Sequence, residues 1–197
     1  MMKRLCDIVL SAIGLLCLSP LLLIVALWIK IDSRGPIFYR QIRVGRHNKD
    51  FRIYKFRSMY ADSDKCGLIT IGGHDPRVTR AGYYIRKLKL DELPQLINVL
   101  VGDMSFVGPR PEVRKYVDMY TPEQLHVLDV RPGITDAASI KYRNENDILA
   151  LQANAEQYYT DVIMQDKLRI NLDYVAYHSL LGDLKLIINT FKVIITK

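Results

Sequence analysis

The chain has 197 residues, a formal net charge of +7 and 49% hydrophobic residues, which suits one compact domain with an additional membrane element. The basic excess indicates contact with anionic head groups or with a phosphorylated ligand, whereas no recognised nucleic-acid module is present, so no nucleic-acid partner is predicted. Cys6, Cys17 and Cys66 are odd in number and lack metal-ligand spacing, and two of them lie in or beside the apolar N-terminal segment. This predicts buried thiols in a reducing compartment and no structural disulfide.

The N-terminal segment from Ile8 to Ile31 is apolar apart from Ser and Gly up to Lys30. About twenty such residues are enough to cross a bilayer as a helix. Ser19-Pro20 lies in the middle of the segment and predicts a kink or a break. Positive residues mark the cytoplasmic side of a membrane, and here they flank both ends of the segment. The residues alone therefore support a re-entrant hairpin and a kinked span about equally.

The next elements are predicted from turn signals and from the period of the apolar residues. Ile37–Val44 and Phe51–Met59 are rich in aromatic and β-branched residues, which predicts a β-hairpin. Residues 62–76 contain several Gly residues and Pro76, and we expect an irregular, mobile loop there.

Several helices are predicted in the rest of the chain. The C-terminal one has apolar residues at helical spacing with lysines opposite, which predicts an amphipathic helix at the membrane interface. Packing of that helix on the domain core is the alternative. The predicted helices are Arg77–Leu88, one that starts at a Thr121 capping box, one from Ile148, Asp161–Leu180 and Leu180–Lys197.

The stretch from Lys87 to Pro111 carries the most chemistry. Asp91 and Glu92 are adjacent carboxylates at a predicted helix start, where the helix dipole favours the ionised form and suits a nucleophile or a metal ligand. Arg110 lies between two prolines, a presentation that suits recognition of phosphate oxygens. A capped, solvated helix start followed by a loop is the alternative interpretation.

Five motifs occur in this order along the chain: the apolar segment with Ser19-Pro20, YKFRSM at Tyr54–Met59, LDELPQ at Leu90–Gln95, GDMSFVGPRP at Gly102–Pro111 and VRPGIT at Val130–Thr135. Together they resemble the small monotopic phosphoglycosyl transferases of the bacterial sugar transferase family. The resemblance covers nearly the whole chain. It implies a transferase that moves a sugar-1-phosphate from a UDP-sugar onto undecaprenyl phosphate, releases UMP and initiates the synthesis of a surface glycan.

The resemblance also implies the roles of individual residues. Asp91 and Glu92 would be the catalytic dyad, with Asp91 the nucleophile that carries a covalent phospho-sugar, and both would ligate Mg²⁺. Positively charged side chains would bind the substrate phosphates, and these are Lys55, Arg57, Arg86, Arg110 and Arg131. The division of roles within the dyad is left open.

The implied fold is α+β and predominantly helical, with a re-entrant helix-break-helix segment, a short β-hairpin and amphipathic interfacial helices. Residues 1–32 would form the re-entrant membrane helix, broken at Ser19-Pro20, and residues 33–197 a cytosolic catalytic domain on the membrane interface. The expected location is the cytoplasmic face of the bacterial inner membrane, with both termini cytoplasmic. Oligomeric state is open.

The chain departs from the common family pattern at two places. Lys89 stands where many members have Ser or Thr, and the segment Asp136–Lys141 replaces a Gly-Trp-Ala-Gln type sequence. The second departure leaves the identity of the sugar open. A glycosyltransferase that releases UDP, and a non-enzymatic adaptor for anionic lipid, are the competing functional hypotheses.

Overall fold

The computed structural model describes residues 2–61, 63 and 75–196, so most of the predicted loop 62–76 lies outside the described residues. The fold is mostly helical with two small sheets. The helices are α1 (Met2–Asp32), α2 (Arg80–Lys87), α3 (Gln95–Val101), α4 (Arg114–Val117), α5 (Ala137–Lys141), α6 (Glu145–Ala150), α7 (Ala155–Tyr158), α8 (Met164–Tyr177) and α9 (Leu180–Ile195). The strands are β1 (Phe38–Val44), β2 (Asp50–Phe56), β3 (Ser105–Val107) and β4 (Gly133–Thr135). Short 3₁₀ helices lie at Arg46–Asn48, Leu90–Glu92 and Gln124–Asp129, and a π-helical segment lies at Tyr159–Ile163.

Helix α1 is long and apolar enough to cross a membrane by length and composition. The helix continues through Ser19 and Pro20. The break predicted at these residues therefore does not interrupt the helical structure. A proline at position 20 cannot donate to the carbonyl of Leu16, one turn earlier. The Ser19 hydroxyl donates to that carbonyl oxygen at 2.7 Å instead, which explains how the helix accommodates the proline. The re-entrant course of α1 stays a prediction.

Both ends of α1 contact the rest of the chain. Near its start, Arg4 donates to the backbone carbonyl of Leu100 at 2.9 Å, and the Asp7 carboxylate accepts from the Ser105 hydroxyl at 3.1 Å. At its end, the Asp32 carboxylate accepts from the backbone N–H of Ala81 at 3.1 Å. The helix is therefore attached at both ends to one folded body.

The predicted hairpin is confirmed. Strands β1 and β2 pair antiparallel from Phe38 opposite Phe56 to Val44 opposite Asp50. The Asn98 side chain on α3 joins the helix to β2, because its amide donates to the Arg52 carbonyl at 2.9 Å and its oxygen accepts from the Tyr54 N–H at 2.9 Å. The hairpin is thereby fixed against the helix that follows the acidic pair.

Strands β3 and β4 form a parallel pair that the sequence did not predict. Ser105 lies opposite Gly133 and Val107 opposite Thr135. The backbones approach so closely that a Cβ on Gly133 would lie 2.2 Å from the amide nitrogen of Gly108. This contact places the segment Pro109-Arg110-Pro111 next to the segment Arg131-Pro132.

The C-terminal half forms its own hydrophobic core around α8. The buried side chains of this core are Val113, Tyr116, Val127, Leu149, Tyr159, Ile163, Met164 and Leu168. On α9, Leu181 and Phe191 are 74% and 61% exposed, whereas Asp183 is buried and forms an ion pair with Lys3 at the start of α1. The exposed apolar side chains are compatible with the expected membrane contact of α9, which stays a prediction.

Candidate active site

The acidic pair lies in the 3₁₀ turn Leu90–Glu92, between α2 and α3. Lys89 precedes the turn in the left-handed backbone region, with φ of 57°. Helix α3 begins only at Gln95, with Pro94 at its N-cap. The sequence predicted that a helix begins at the acidic pair, with Pro94 in its first turn. In the structure α3 begins about one turn later, and Pro94 is its N-cap.

Glu92 is tied to two cations. Arg110 donates to both carboxylate oxygens, one of them at 3.2 Å, and Lys55 forms an ion pair with Oε1 at 3.1 Å. Burial alone would raise the pKa of Glu92, but the charges of Arg110 and Lys55 and the Arg110 hydrogen bonds hold it well below its ordinary value. Glu92 is thus a charged, fully engaged carboxylate.

Asp91 has a different environment. Its Oδ1 atom is buried and has no hydrogen-bond partner within the described residues. Burial and then the charge of Glu92 raise the pKa of Asp91, and the charges of Lys55 and Arg86 oppose this shift. Of the two carboxylates, Asp91 has the oxygen that remains available for chemistry.

Arg110 is held in place by the backbone around it. It follows β3, where the Gly133 N–H donates to the Pro109 carbonyl at 3.0 Å. On its other side, the Arg43 guanidinium donates to the Pro111 carbonyl at 3.0 Å. The charge of Glu92 raises the pKa of Arg110 above its already high ordinary value, so the guanidinium stays charged at every relevant pH.

Lys55 is the second cation of the acidic pair. Burial lowers its pKa and the nearby charge of Glu92 partly restores it. It projects from β2 at the register position opposite Tyr39. The hairpin therefore places a basic side chain beside the acidic pair.

A cleft of about 1070 Å³ opens at these residues. Its size suits a nucleotide-sized ligand. Basic side chains dominate the part of the cleft around the acidic pair, and they are Arg40, Arg43, Lys55, Arg77, Arg86, Lys87, Lys89 and Arg110. Such a concentration of positive charge favours a polyanionic ligand.

The remaining predicted site residues differ in their placement. Arg86 lines the cleft and lowers the pKa of Asp91 by its charge. Arg57 also borders the cleft, but its guanidinium donates to the backbone carbonyls of Ser33 at 2.7 Å and Arg34 at 2.6 Å, just after α1. Arg131 is not a cleft residue, and its Nε donates to the Gly102 carbonyl at 2.8 Å.

Two groups of cleft residues were missed from the sequence. Lys87 and Lys89 both lie shortly before the acidic pair in the chain, so their proximity was a usable signal, but Lys89 was noted only as a departure from the family pattern. The segment from Tyr142 to Asp147 also lines the cleft, and nothing in its periodicity marked it. It reaches the site through tertiary packing alone.

The described part of the chain contains no group of three or more His, Cys, Asp or Glu residues that could hold a metal ion. Mg²⁺ needs only one or two protein carboxylates when substrate phosphates and water complete its coordination. The unpartnered Oδ1 of Asp91 fits that role. Both oxygens of Glu92 are engaged by cations, so Asp91 is the better candidate of the two expected ligands.

Comparison with known proteins matches residues 1–197 to the bacterial sugar transferase family. The chain is 45% identical over 162 residues to a UDP-N-acetylgalactosamine-undecaprenyl-phosphate N-acetylgalactosaminephosphotransferase of Aeromonas hydrophila, covering 80% of this chain and 38% of that protein. It is 37% identical over 197 residues to the UDP-glucose:undecaprenyl-phosphate glucose-1-phosphate transferase of Caulobacter vibrioides, covering 98% of this chain and 70% of that protein.

A similar likeness holds for the UDP-glucose:undecaprenyl-phosphate glucose-1-phosphate transferase of Escherichia coli, at 38% identity over 204 residues. That match covers 100% of this chain and 41% of the E. coli protein. The chain thus spans less than half of the Aeromonas and E. coli proteins but most of the Caulobacter protein. The chain belongs to the bacterial sugar transferase family.

Proposed function

We propose that this protein transfers a sugar-1-phosphate from a UDP-sugar to undecaprenyl phosphate, releases UMP and thereby starts the synthesis of a bacterial surface glycan. The observation that carries the proposal is the acidic pair itself. Glu92 is neutralised by Arg110 and Lys55, while Asp91, in a basic cleft, keeps a buried oxygen that has no hydrogen-bond partner among the described residues. The names of the Aeromonas and Caulobacter relatives describe the same type of transfer.

The first step is attack by a carboxylate oxygen of Asp91 on the β-phosphorus of the UDP-sugar. A bond forms between that oxygen and the phosphorus, and the bond from the phosphorus to the bridging oxygen breaks. UMP leaves with the electron pair on its phosphate oxygen. The sugar-1-phosphate is then held on Asp91 as a mixed anhydride.

The second step restores the enzyme. A phosphate oxygen of undecaprenyl phosphate attacks the same phosphorus, and the bond from the phosphorus to Asp91 breaks. The product is undecaprenyl diphosphate carrying the sugar, and Asp91 returns to a free carboxylate. Two in-line displacements of this kind need a carboxylate oxygen that is not already engaged by an arginine or a lysine. Within the described residues, Oδ1 of Asp91 has no hydrogen-bond partner, whereas Arg110 and Lys55 engage Glu92.

The surrounding cations have distinct roles in this scheme. A carboxylate approaching a diphosphate is repelled by like charge, and fixed positive groups lower that barrier without having to reorganise. Arg110 and Lys55 are positioned for this by Glu92, which orients both. Arg86 and Lys89 add positive charge beside Asp91.

Mg²⁺ is proposed as the cofactor, with Asp91 and the substrate phosphates as its ligands. When bound, it supplies additional neutralisation of the diphosphate and of the leaving UMP. Glu92 then serves mainly to hold Arg110 and Lys55, rather than as the second metal ligand expected from the resemblance.

The same family membership and the placement of α1 lead us to propose a re-entrant attachment at the cytoplasmic face of the inner membrane, with both termini cytoplasmic. A helix of 31 residues that crossed the bilayer would separate its two ends by more than the hydrocarbon thickness of about 30 Å. The contacts of Arg4 and Asp32 attach both ends to the same folded body. This favours a helix that enters one leaflet and returns.

The function is tested by the nucleotide that the detergent-purified protein releases. With a panel of UDP-sugars, undecaprenyl phosphate and Mg²⁺, we expect UMP from the wild type and none from the Asp91→Asn variant. UDP in place of UMP would identify a glycosyltransferase instead. An Asp91→Asn variant as active as the wild type would overturn the assigned nucleophile.

A further inference from the structure

Two parts of the chain line the cleft, and they differ in chemistry. The part around the acidic pair is strongly basic. The other part runs from the end of α5 to the start of α6, and its lining residues are Ser139, Tyr142, Arg143, Asn144, Glu145, Asn146 and Asp147. We call the stretch 142–147 the polar segment. Because it mixes amides, carboxylates and one arginine, it has no excess of positive charge with which to attract phosphate.

The polar segment has side chains that are free to bind. Asn144, Asn146 and Asp147 are exposed, and none of the three takes part in a side-chain hydrogen bond or ion pair with another described residue. An amide offers two donors and an acceptor, and a carboxylate accepts from two hydroxyl groups. This set suits a ligand rich in hydroxyl groups.

The polar segment is also held firmly by the core beneath it. Leu149 of α6 is 1% exposed and belongs to the C-terminal hydrophobic core. Glu145 forms an ion pair with Lys167 of α8, and the Tyr142 hydroxyl donates to the Asp166 carboxylate at 2.8 Å. Side chains on a fixed backbone lose less entropy on binding and discriminate better between similar ligands.

Several aromatic side chains line the basic part of the cleft, whereas the polar segment contributes one, Tyr142. Those of the basic part are Phe38, Tyr39, Tyr60 and Tyr83. A flat uracil ring is bound well by stacking on such rings. The basic residues next to them suit the diphosphate, and the polar segment is then left for the sugar on the other side of the β-phosphorus.

We propose that the polar segment binds the sugar of the UDP-sugar, and that Asn146 and Asp147 determine which sugar is accepted. This rests on the proposed function, since it assigns the sugar end of that substrate. Asp147 would accept from sugar hydroxyl groups, and Asn146 would bind a hydroxyl or an acetamido group.

The test uses four donors that differ only at two sugar carbons. UDP-glucose and UDP-galactose are epimers at C4, as are UDP-N-acetylglucosamine and UDP-N-acetylgalactosamine, and the two pairs differ in the substituent at C2. UMP release gives kcat/KM for each donor in the wild type and in an Asn146→Ala/Asp147→Ala double variant. In the double variant we expect kcat/KM for the preferred donor to fall about 10-fold or more. The ratio of kcat/KM for that donor to kcat/KM for its C4 epimer should decrease by a similar factor.

Inhibition by UMP separates the sugar end from the nucleotide end. Its inhibition constant should change by less than about 2-fold in the double variant, because UMP lacks the sugar that the segment would bind. The matched control is Asp173→Ala, an exposed carboxylate on α8 outside the cleft. It should leave both the donor preference and the inhibition constant unchanged.

Different results would overturn different statements. An equal fall of kcat/KM for all four donors, or an unchanged preference, would contradict the assignment of the sugar to this segment. Weaker UMP inhibition in the double variant would place the nucleotide there instead. If the wild type forms no UMP from any donor while UDP appears, the proposed function fails and this inference fails with it.

Discussion

The acidic pair shows how adjacent residues of similar chemistry acquire different properties. Glu92 accepts from Arg110 and Lys55, so its pKa lies well below its ordinary value. Burial and the charge of Glu92 raise the pKa of Asp91, and its Oδ1 atom has no hydrogen-bond partner in the described part of the chain. Carboxylates whose environments move their pKa values apart usually have separate tasks. At this scale, Asp91 is suited to react and Glu92 to orient the cations that face the substrate.

Arg110 and Arg131 provide a matched pair for testing that assignment, because each lies beside a proline in a family motif. We expect Arg110→Ala to lower kcat/KM by about 100-fold, since a charged donor near the transferring phosphate is lost. Arg110→Lys should remain impaired, because an ammonium group lacks the two-pronged geometry that binds both Glu92 oxygens. UMP release measured over a range of UDP-sugar concentrations provides these values.

Arg131→Ala is the control for that series. Its side chain donates to the Gly102 carbonyl outside the cleft, so we expect kinetics within about 2-fold of the wild type and a modest loss of stability, of about 1 kcal/mol. Equal losses of activity in Arg110→Ala and Arg131→Ala, with unchanged thermal unfolding, would restore the substrate-binding role that the sequence predicted for Arg131.

Elements encoded by local patterns were predictable from the sequence. The aromatic and β-branched residues of Ile37–Val44 and Phe51–Met59 correctly predicted the hairpin of β1 and β2, and the long apolar segment correctly predicted a long helix, α1. The Thr121 capping box is also present, with the Gln124 N–H donating to the Thr121 hydroxyl at 3.3 Å. The pair β3 and β4 was missed because each strand has three residues and its partner is far along the chain. Neither strand has a periodic pattern of its own.

Arg57 shows that a residue's place in a motif does not by itself define what its side chain binds. It belongs to the YKFRSM motif and was predicted to bind substrate. Its side chain is 4% exposed and donates to several oxygen atoms at the end of α1, including those of Ser33 and Arg34. Carbonyls at a helix C-terminus lack partners within the helix, and a buried guanidinium can satisfy several at once. The sequence pattern alone did not distinguish this role from phosphate binding.

We expect Arg57→Met to lower the free energy of unfolding by about 2–4 kcal/mol, since several carbonyl groups at and after the end of α1 lose a charged donor. Thermal or denaturant unfolding of the detergent-solubilised protein measures this loss. Arg52→Met, on the exposed face of β2 just before Arg57, is the control and should unfold like the wild type. If Arg57→Met were as stable as the wild type but needed far more UDP-sugar for half-maximal rate, Arg57 would be a substrate ligand after all.

At the scale of the whole molecule, α1 organises the attachment of the catalytic domain. Lys3 and Asp7 near its start contact α9 and β3, and Asp32 at its end contacts α2. Apolar side chains remain exposed along the helix, including Leu16 at 76% and Leu27 at 64%. Exposed apolar surface of this kind is typical of membrane or protein contacts, which is compatible with the proposed membrane attachment. Such an arrangement would keep the cleft close to the surface where a lipid phosphate is presented.

The position of the N-terminus tests this arrangement. A Met2→Cys variant without other cysteines should react with a membrane-impermeant maleimide in inverted vesicles and not in spheroplasts, because the proposed re-entrant helix would return to the cytoplasmic side. Adding Pro20→Leu removes the helix-disrupting residue and should expose part of the population to the periplasm. Thr196→Cys serves as the cytoplasmic control. Labelling of Met2→Cys in spheroplasts without the Pro20 change would establish a spanning helix.

The measurement that tests the central claim most directly is a single turnover without the lipid acceptor. The purified protein, a UDP-sugar that it accepts and Mg²⁺ should give one rapid burst of UMP, of at most one equivalent per protein. Mass spectrometry should find a sugar-phosphate on the peptide that contains Asp91, and undecaprenyl phosphate should then remove it. The Asp91→Asn variant should show neither the burst nor the modified peptide. UMP release that strictly requires the lipid acceptor, with Asp91 unmodified throughout, would contradict the covalent mechanism.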